Sequence, residues 1–203
     1  MATLCESLIA SAIDFNCNDM VTRGLEADGI IINRSDIDFS STVFDTNNAN
    51  IIKQLVLKTG KMGYEIQQAG NTPFTGTQTA LEVGTYRNTF TNTVSMVVLN
   101  NGPEVAKNII DGLANGSFVV ILRNKHKTEN SSGTAGQAEY QVYGYYQGLT
   151  ANEITNEKYS EDTDGGWLVN LQETGVRVSA MFYFNTDSST TTTQYASLLT
   201  AAS

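Results

Sequence analysis

Hydrophobic positions along this chain recur with two different spacings. Over residues 90–99 they alternate, with Phe90, Asn92, Val94, Met96 and Val98 on one side and Thr91, Thr93, Ser95, Val97 and Leu99 on the other, the period of an extended strand. Residues 167–171 alternate in the same way. So do residues 176–184, with Val176, Val178, Ala180, Phe182 and Phe184 on one face. Phe118-Val119-Val120-Ile121-Leu122 has no polar face at all, which predicts a central strand covered on both sides. Weaker strand signals lie at 29–33, at Ile37 and Phe39, over 51–58, over 64–67, and in a Tyr-rich stretch over 138–149.

The helical spacing is best developed after residue 101. Gly102 suits an N-cap, Pro103 the first helical position, and Glu104 the positive end of the helix dipole. Val105, Ala106, Ile109, Ile110 and Leu113 then share a face, and Gly116 stops the run. A helix over about 103–114 is predicted, packed by Val105, Ile109, Ile110 and Leu113 against a sheet. Residues 3–23 fit either a helix (Leu4, Leu8, Ile9, Ala12, Ile13) or a strand (Ile13, Phe15, Cys17).

The chain divides on these grounds into an N-terminal arm or strand (1–23), a β-rich core domain (24–185) and a Ser/Thr-rich C-terminal tail (186–203). In the tail, 188–193 has the composition of a linker and 195–199 that of a short docking segment. Residues 68–82, with Gly70, Pro73 and Gly76 among Asn and Thr, are expected to form a long loop of the kind used in function or assembly. Residues 128–136 are expected to form a flexible hairpin tip. The fold class predicted is α+β and mainly β: an antiparallel β-sandwich or barrel with one packed α-helix.

Composition and charge narrow the function. The 203 residues are 40% hydrophobic and 16% charged, with a net charge of −9 and a pI near 4.5. The missing polarity comes from Thr, Asn, Ser and Gln, which suits wide contacts between copies. Acidic residues concentrate at 1–60 (eight against four basic) and 149–187 (seven against two), while 61–148 balances at six each. Nucleic-acid binding by counterion release needs clustered Lys and Arg, so that class is disfavoured; an acidic wall would let a polyanion slide past. The start of the sequence lacks a basic n-region and no apolar run reaches the length of a membrane span, so a soluble protein folded in a cytoplasm is expected.

Catalytic chemistry finds little material. His126 is the one histidine and lies between Lys125 and Lys127, a poor setting for a general base; Ser131 and Ser132 lack a nucleophile-elbow frame. Asp36 and Asp38 could be construed as paired carboxylates for hydrolysis. Ser160-Glu161-Asp162-Thr163-Asp164-Gly165 places oxygens at alternate positions, as a calcium loop does, but lacks the downstream glutamate. Gly60-Lys61-Met62-Gly63 lacks the phosphate-loop frame. Cys5 and Cys17 are twelve apart, matching no zinc or redox motif. No enzyme activity, cofactor or metal is expected. Tyr140, Tyr143, Tyr145 and Tyr146 form an aromatic run suited to core packing, to anchoring a subunit interface or to stacking on sugars; Tyr143, Tyr145 and Tyr146 are the candidate interface aromatics.

Several segments together resemble a family of small virion proteins from tailed phages of gut Bacteroidetes. They are Asp36-Ile37-Asp38-Phe39, Leu57-Lys58-Thr59-Gly60-Lys61-Met62-Gly63-Tyr64-Glu65, Gly84-Thr85-Tyr86-Arg87-Asn88-Thr89-Phe90, Asn101-Gly102-Pro103-Glu104 and Leu113-Ala114-Asn115-Gly116. The pair Tyr143-Gly144-Tyr145-Tyr146-Gln147-Gly148-Leu149 and Glu161-Asp162-Thr163-Asp164-Gly165-Gly166-Trp167-Leu168-Val169-Asn170-Leu171 completes the set, and order and spacing carry the likeness. The resemblance implies a tail-tube-like structural protein of the particle, made in the host cytoplasm and residing in the virion tail. Its partners would be other copies of itself, in a ring for which six is one option, and other virion proteins. DNA would pass without specific binding, and no membrane would be involved. Asp162 and Asp164 are then candidate lumen-lining acids. The alternative from another class is a carbohydrate-binding, adhesin-like β module, which would keep Trp167 or the tyrosines exposed on a monomer.

Overall fold

A computed structural model describes residues 20–127 and 134–202, together with 9, 12, 13 and 17. The strands are β1 (Leu25–Asn33), β2 (Val43–Phe44), β3 (Ile51–Gln54), β4 (Tyr64–Gln67), β5 (Gln78–Glu82), β6 (Thr89–Val98), β7 (Phe118–Asn124), β8 (Tyr140–Tyr143), β9 (Thr150–Thr155), β10 (Trp167–Val176) and β11 (Met181–Tyr183). They form a seven-stranded sheet, in the order β2-β3-β11-β8-β7-β1-β4, and a four-stranded sheet, β5-β6-β10-β9. Every pairing is antiparallel except β3 with β11. Both sheets are open, so the sandwich alternative describes the molecule and the barrel does not.

β7 sets the layering. Residues 118–122 are all buried, and their alternation sends Val119 and Ile121 into one core and Phe118, Val120 and Leu122 into another. The second core lies between the sheets, where Val94 and Met96 of β6 and Val169 and Leu171 of β10 meet the large sheet. The first core lies on the large sheet's other face. It is closed by Ile37, Leu55 and Leu57 from the connections and by Tyr195 and Leu198 from the C-terminal segment. The outer face of the small sheet is a polar ladder: Ser95 Oγ donates to Asn170 Oδ1 (2.6 Å), and Asn170 Nδ2 donates to Glu153 Oε2 (2.9 Å).

The C-terminal segment corrects the linker expectation. Residues 188–193 begin a helix, α3 (Ser188–Ser197), which packs onto the large sheet. Asp187 caps it, its Oδ1 accepting from Thr190 N (2.8 Å). The threonine hydroxyls bond back along the helix, Thr191 to Asp187 O (2.7 Å), Thr192 to Ser188 O (2.8 Å) and Thr193 to Ser189 O (3.0 Å), so the polar run satisfies itself inside the helix instead of competing with it. Beyond it the chain is stitched to the 60–63 turn: Gly63 N donates to Leu198 O (2.7 Å), Gly60 N to Ala202 O (2.7 Å), and Ala202 N to Lys61 O (2.9 Å). Gly63 must be glycine for this contact, because a Cβ there would lie 2.6 Å from Ile30 Cγ2.

The predicted helix is present over 103–115, but not as a regular one. It consists of α1 (Pro103–Val105), a π-helical turn (Ala106–Ile110) and α2 (Asp111–Asn115). The wider turn replaces the i, i+4 pairing of Val105 with Ile109 by an i, i+5 pairing with Ile110. Val105, Ile110 and Leu113 are therefore buried, while Ile109 is 43% exposed and does not pack as predicted. Other boundaries shift for local reasons. Residues 78–82 are a strand and not loop; they escaped detection because all five are exposed and so show no alternation. The Tyr-rich stretch stops at Tyr143, where Gly144 (φ 83°) and Gly148 (φ 82°) turn the chain, and β9 follows. The alternation over 176–184 is split by a bend between β10 and β11. The arm, 1–23, and the hairpin tip, 128–136, fall largely outside the described residues.

The π turn generates a test. Ile110→Ala should destabilise the fold by about 2–5 kcal/mol, as for other buried aliphatic truncations, whereas Ile109→Ala should stay within about 0.5 kcal/mol of the parent. Urea unfolding midpoints measure both, and the reverse ranking would mean a regular helix in place of the π turn.

Candidate assembly surfaces

Among the described residues two surfaces leave apolar or backbone groups without cover, and a third presents exposed carboxylates. The first is the hairpin of β5 and β6. Among the described residues β5 pairs only with β6, from Gln78 opposite Thr93 to Glu82 opposite Thr89, and each of its residues is exposed. Exposure continues through the tip, where Leu81 is 53%, Val83 83% and Tyr86 100% exposed. β5 is held by its ladder to β6 and by the Thr79 hydroxyl, which donates to Asn92 Oδ1 (2.6 Å), with none of its own residues buried.

The second is a groove of about 910 Å³ between the β4 edge, the end of β6 and the helical stretch. Its floor includes Ile31, Ile66, Met96, Leu113 and Phe118; Tyr64, Leu99 and Ile109 stand at its rim, 56%, 52% and 43% exposed. The π turn is what places Ile109 there. Among the described residues β4 is an edge strand bonded only to β1. Since Gln68 N donates to Ala27 O (2.8 Å), the antiparallel alternation turns the N–H groups of Glu65 and Gln67 outward, away from β1. One end is closed by the Gln68 side chain, which imitates a strand neighbour: Nε2 donates to Val97 O (3.0 Å) and Oε1 accepts from Val97 N (2.8 Å).

The third is the acidic loop between β9 and β10. Asp162 and Asp164 are both exposed, and neither carboxylate has a hydrogen-bond partner among the described residues. The loop backbone is nonetheless braced. Asn156 Nδ2 donates to Gly165 O (3.0 Å) and Gly166 O (2.6 Å), and Asn101 Nδ2 donates to Gly165 O (3.1 Å).

The tyrosines divide. Tyr143 and Tyr145 are buried, 5% and 6% exposed, and only Tyr146, at 41%, reaches solvent. Tyr143 and Tyr145 are thus corrected from interface anchors to core residues. Tyr143 enters the core between the sheets, where burial pushes its hydroxyl well above the ordinary tyrosine pKa. Tyr145 makes edge-to-face contacts with Phe39 (5.3 Å), Phe44 (5.4 Å) and Tyr146 (5.4 Å). Trp167 is partly buried against the same inner core as Tyr143.

Buried charge is present where no motif marked it. Glu173 is 4% exposed and faces the inter-sheet core with Asn92, its register partner on β6. Oε1 accepts from Asn92 Nδ2 (2.8 Å) and Gly144 N (2.8 Å), and Oε2 from Gln147 N (3.4 Å). The carboxylate thus ties the 144–148 turn to the small sheet. On the other core, Glu139 is also 4% exposed and pairs with Arg123 (3.0 Å), which reaches Asp28 as well (3.1 Å). Burial opposes the guanidinium charge, but the hydrogen bonds to Glu139 and Asp28 outweigh it and raise the pKa. Both carboxylates serve packing; the missed signal in each case is an acidic residue inside an otherwise strand-like run.

The remaining candidates are occupied locally. Asp36 is 3.4 Å from Lys61 Nζ and accepts from Asn33 Nδ2 (3.2 Å). Asp38 accepts from the hydroxyls of Ser40 (2.6 Å) and Ser41 (2.7 Å), which with the two backbone N–H groups lower its pKa to about 2. His126 Nδ1 accepts from Thr22 N (3.5 Å). Cys17 is exposed, while Cys5, Ser131 and Ser132 lie outside the described residues. Among the described residues no group of three or more His, Cys, Asp or Glu is arranged to hold a metal ion, and no helix is long and apolar enough to cross a membrane. In comparisons with known proteins, the chain matches no family model, no curated protein and no solved structure.

Two tests follow from the carboxylates. Glu173→Ala strands Asn92 Nδ2 and Gly144 N, so unfolding free energy should fall by about 1–3 kcal/mol for each unpaired group, and Glu173→Gln, which keeps an acceptor, should cost less. Denaturant unfolding of the two variants ranks them, and equal losses would remove the hydrogen bonds from the explanation. The second concerns acid. The folded pKa of Asp38 lies below its unfolded value, so its contribution is fully present above about pH 4 and is lost as pH falls through about 2. Asp45, whose pKa is lowered by the Lys53 hydrogen bond and then by the N–H groups of Asn47 and Asn48, and Asp187, lowered by Thr190, act in the same direction. Thermal unfolding midpoints between pH 6 and 2 should fall at the acid end, and Asp38→Asn should flatten that limb; an unchanged limb refutes the assignment.

Proposed function

We propose that this protein is a structural subunit of a tailed-phage particle that assembles with copies of itself into rings or a tube. The observation that carries this reading is the β5–β6 hairpin: a strand exposed on both faces, with Leu81, Val83 and Tyr86 in solvent, is costly for an isolated molecule and useful when a neighbour covers it. The open β4 edge beside an apolar groove is a second such surface. Two different unpaired patches on one chain favour head-to-tail contacts, which close into rings or extend as filaments.

The resemblance to virion proteins of gut Bacteroidetes phages supports a place in the tail, and with it other virion proteins as neighbours. The solvent-facing Asp162 and Asp164, together with the net charge of −9, suit a lumen through which DNA slides without binding. The rival adhesin-like module would act as a monomer through exposed aromatics, of which Tyr86, Tyr159 (96% exposed), Tyr64, Tyr146 and Phe39 are present among the described residues.

Light scattering and negative-stain microscopy across a concentration series discriminate. Full-length protein should form rings or tubes, and Val83→Ser with Tyr86→Ser should leave the fold intact while lowering assembly by about tenfold or more. Monomers at every concentration, together with glycan-array binding that the same two substitutions abolish, would give the function to the adhesin-like reading.

A further inference from the structure

We propose that the N-terminal segment of a neighbouring copy lies along β4 as an added strand, its apolar side chains seated in the groove between that edge and the helical stretch. This rests on the assembly reading and deepens it by naming the contact.

The receptor side is complete in the subunit. The N–H groups of Glu65 and Gln67 face outward from β4 with no backbone partner among the described residues, so an incoming strand finds a hydrogen-bonding edge. Behind that edge lies the apolar floor of Ile31, Ile66 and Met96, with Ile109 and Leu99 at the rim. Along β4 the groove is lined from Tyr64 to Ala69, about 20 Å at the rise of a strand.

The donor side is the segment before β1. In an extended conformation Ile9, Ser11, Ile13, Phe15 and Cys17 share one face, so three large apolar residues line up on it, and no charge occurs between Ile9 and Ile13. The described residues of this segment are exposed on their own chain: Ile9 is 73% and Ile13 92% exposed, and nearer β1 Met20 and Val21 are 63% and 64% exposed. Among the described residues nothing covers Ile9 and Ile13 or occupies the apolar groove with its free edge.

The root of the segment decides which copy's groove it enters. β1 lies between β7 and β4. Lys125 N donates to Gly24 O (3.0 Å) and Thr22 N to His126 Nδ1 (3.5 Å), both at the end of β7. The segment thus leaves the body on the β7 side, with β1 between it and its own β4. Residues 18–24 span about 23 Å when extended, a reach sufficient for an adjacent subunit. Each copy gives a segment and receives one, and when the receiving copy is not the one that gave, the contact repeats head to tail.

The native thiol at Cys17 makes the contact measurable in the full-length protein. Tyr64→Cys places a second thiol at the groove rim, on the same face of β4 as Ile66. Copies grown in light and heavy nitrogen are mixed, allowed to assemble, and treated with a short bismaleimide before mass spectrometry. The expected product is a peptide joining Cys17 to the thiol at position 64 with mixed isotope labels, absent when Cys17→Ser is added. Ile109→Asp, a change at a residue already exposed, should lower its yield by about tenfold, because the segment would then meet a charge. Cross-links of one label only would mean that the segment fills its own groove and would overturn the proposal. Assembled rings or tubes without the link would overturn it while leaving the assembly reading intact. A Val83→Cys, Tyr64→Cys protein carrying Cys5→Ser and Cys17→Ser tests the competing occupant: a mixed-label link there would give the groove to the β5–β6 hairpin. Protein that remains monomeric and unlinked would end both this proposal and the assembly reading.

Discussion

Five consecutive apolar residues without an exposed face, 118–122, oblige the chain to supply cover on two sides. Because side chains alternate along a strand, Val119 and Ile121 need one partner layer and Phe118, Val120 and Leu122 another. The small sheet and the helical stretch form one layer. The other comes from the connections around β3 and, last in sequence, from α3. This explains why a Ser/Thr-rich terminus is folded at all: Tyr195 and Leu198 complete a core that would otherwise open to water. Burying five such side chains stabilises by about 1.5–3 kcal/mol each, a gain available only when both layers are in place.

Layers made by different parts of the chain must also be aligned, and here buried polar groups act. Glu173 projects from β10 into the inter-sheet core and holds both Asn92 beside it and the 144–148 turn opposite. That turn needs Gly144 in the left-handed region, and a side chain there would strike Phe118 O at the start of β7. One carboxylate thereby relates the small sheet to the strand on which the large sheet depends. Arg123 does the corresponding work at the other end of β7, linking Asp28 on β1 to Glu139 just before β8. Hydrophobic cover alone would tolerate sliding of one layer over the other; these directional bonds do not.

Legibility in the sequence followed burial. β6, β7 and β10 could be read because their side chains sort cleanly between core and surface. β5 could not, since exposure on both faces leaves no period, and β9 could not, since only Ala151 and Ile154 turn inward. The helical stretch was legible in position but not in phase: a π turn adds a residue per turn locally, and Ile110 takes the place that a regular helix would give to Ile109. α3 was hidden by composition, although Asp187 ahead of a run ending in Tyr195 is an N-cap signal. The parallel pairing of β3 with β11 joins segments about 130 residues apart and has no local signature. The tyrosine run shows the limit for sites. Spacing could not tell that Tyr143 and Tyr145 face two cores while Tyr146 faces water.

The same economy of cover governs the surface. Inside, every apolar layer finds a partner, and the outer face of the small sheet is a closed polar ladder through Ser95, Asn170 and Glu153. Against that background the uncovered features are few and they are not alike. The β5–β6 hairpin offers a projecting strand, the β4 edge an apolar recess, and Ile9 and Ile13 ahead of β1 exposed apolar side chains. A monomeric protein usually blunts such edges with charge, proline or a bulge. Here the groove carries Glu65 as its charged lining residue, and the exposed face of the helical stretch contributes Ile109. Unlike surfaces on one chain meet either reciprocally in a two-fold pair or in a contact handed head to tail. The proposed ring or tube corresponds to the second of these, a directional contact passed from copy to copy.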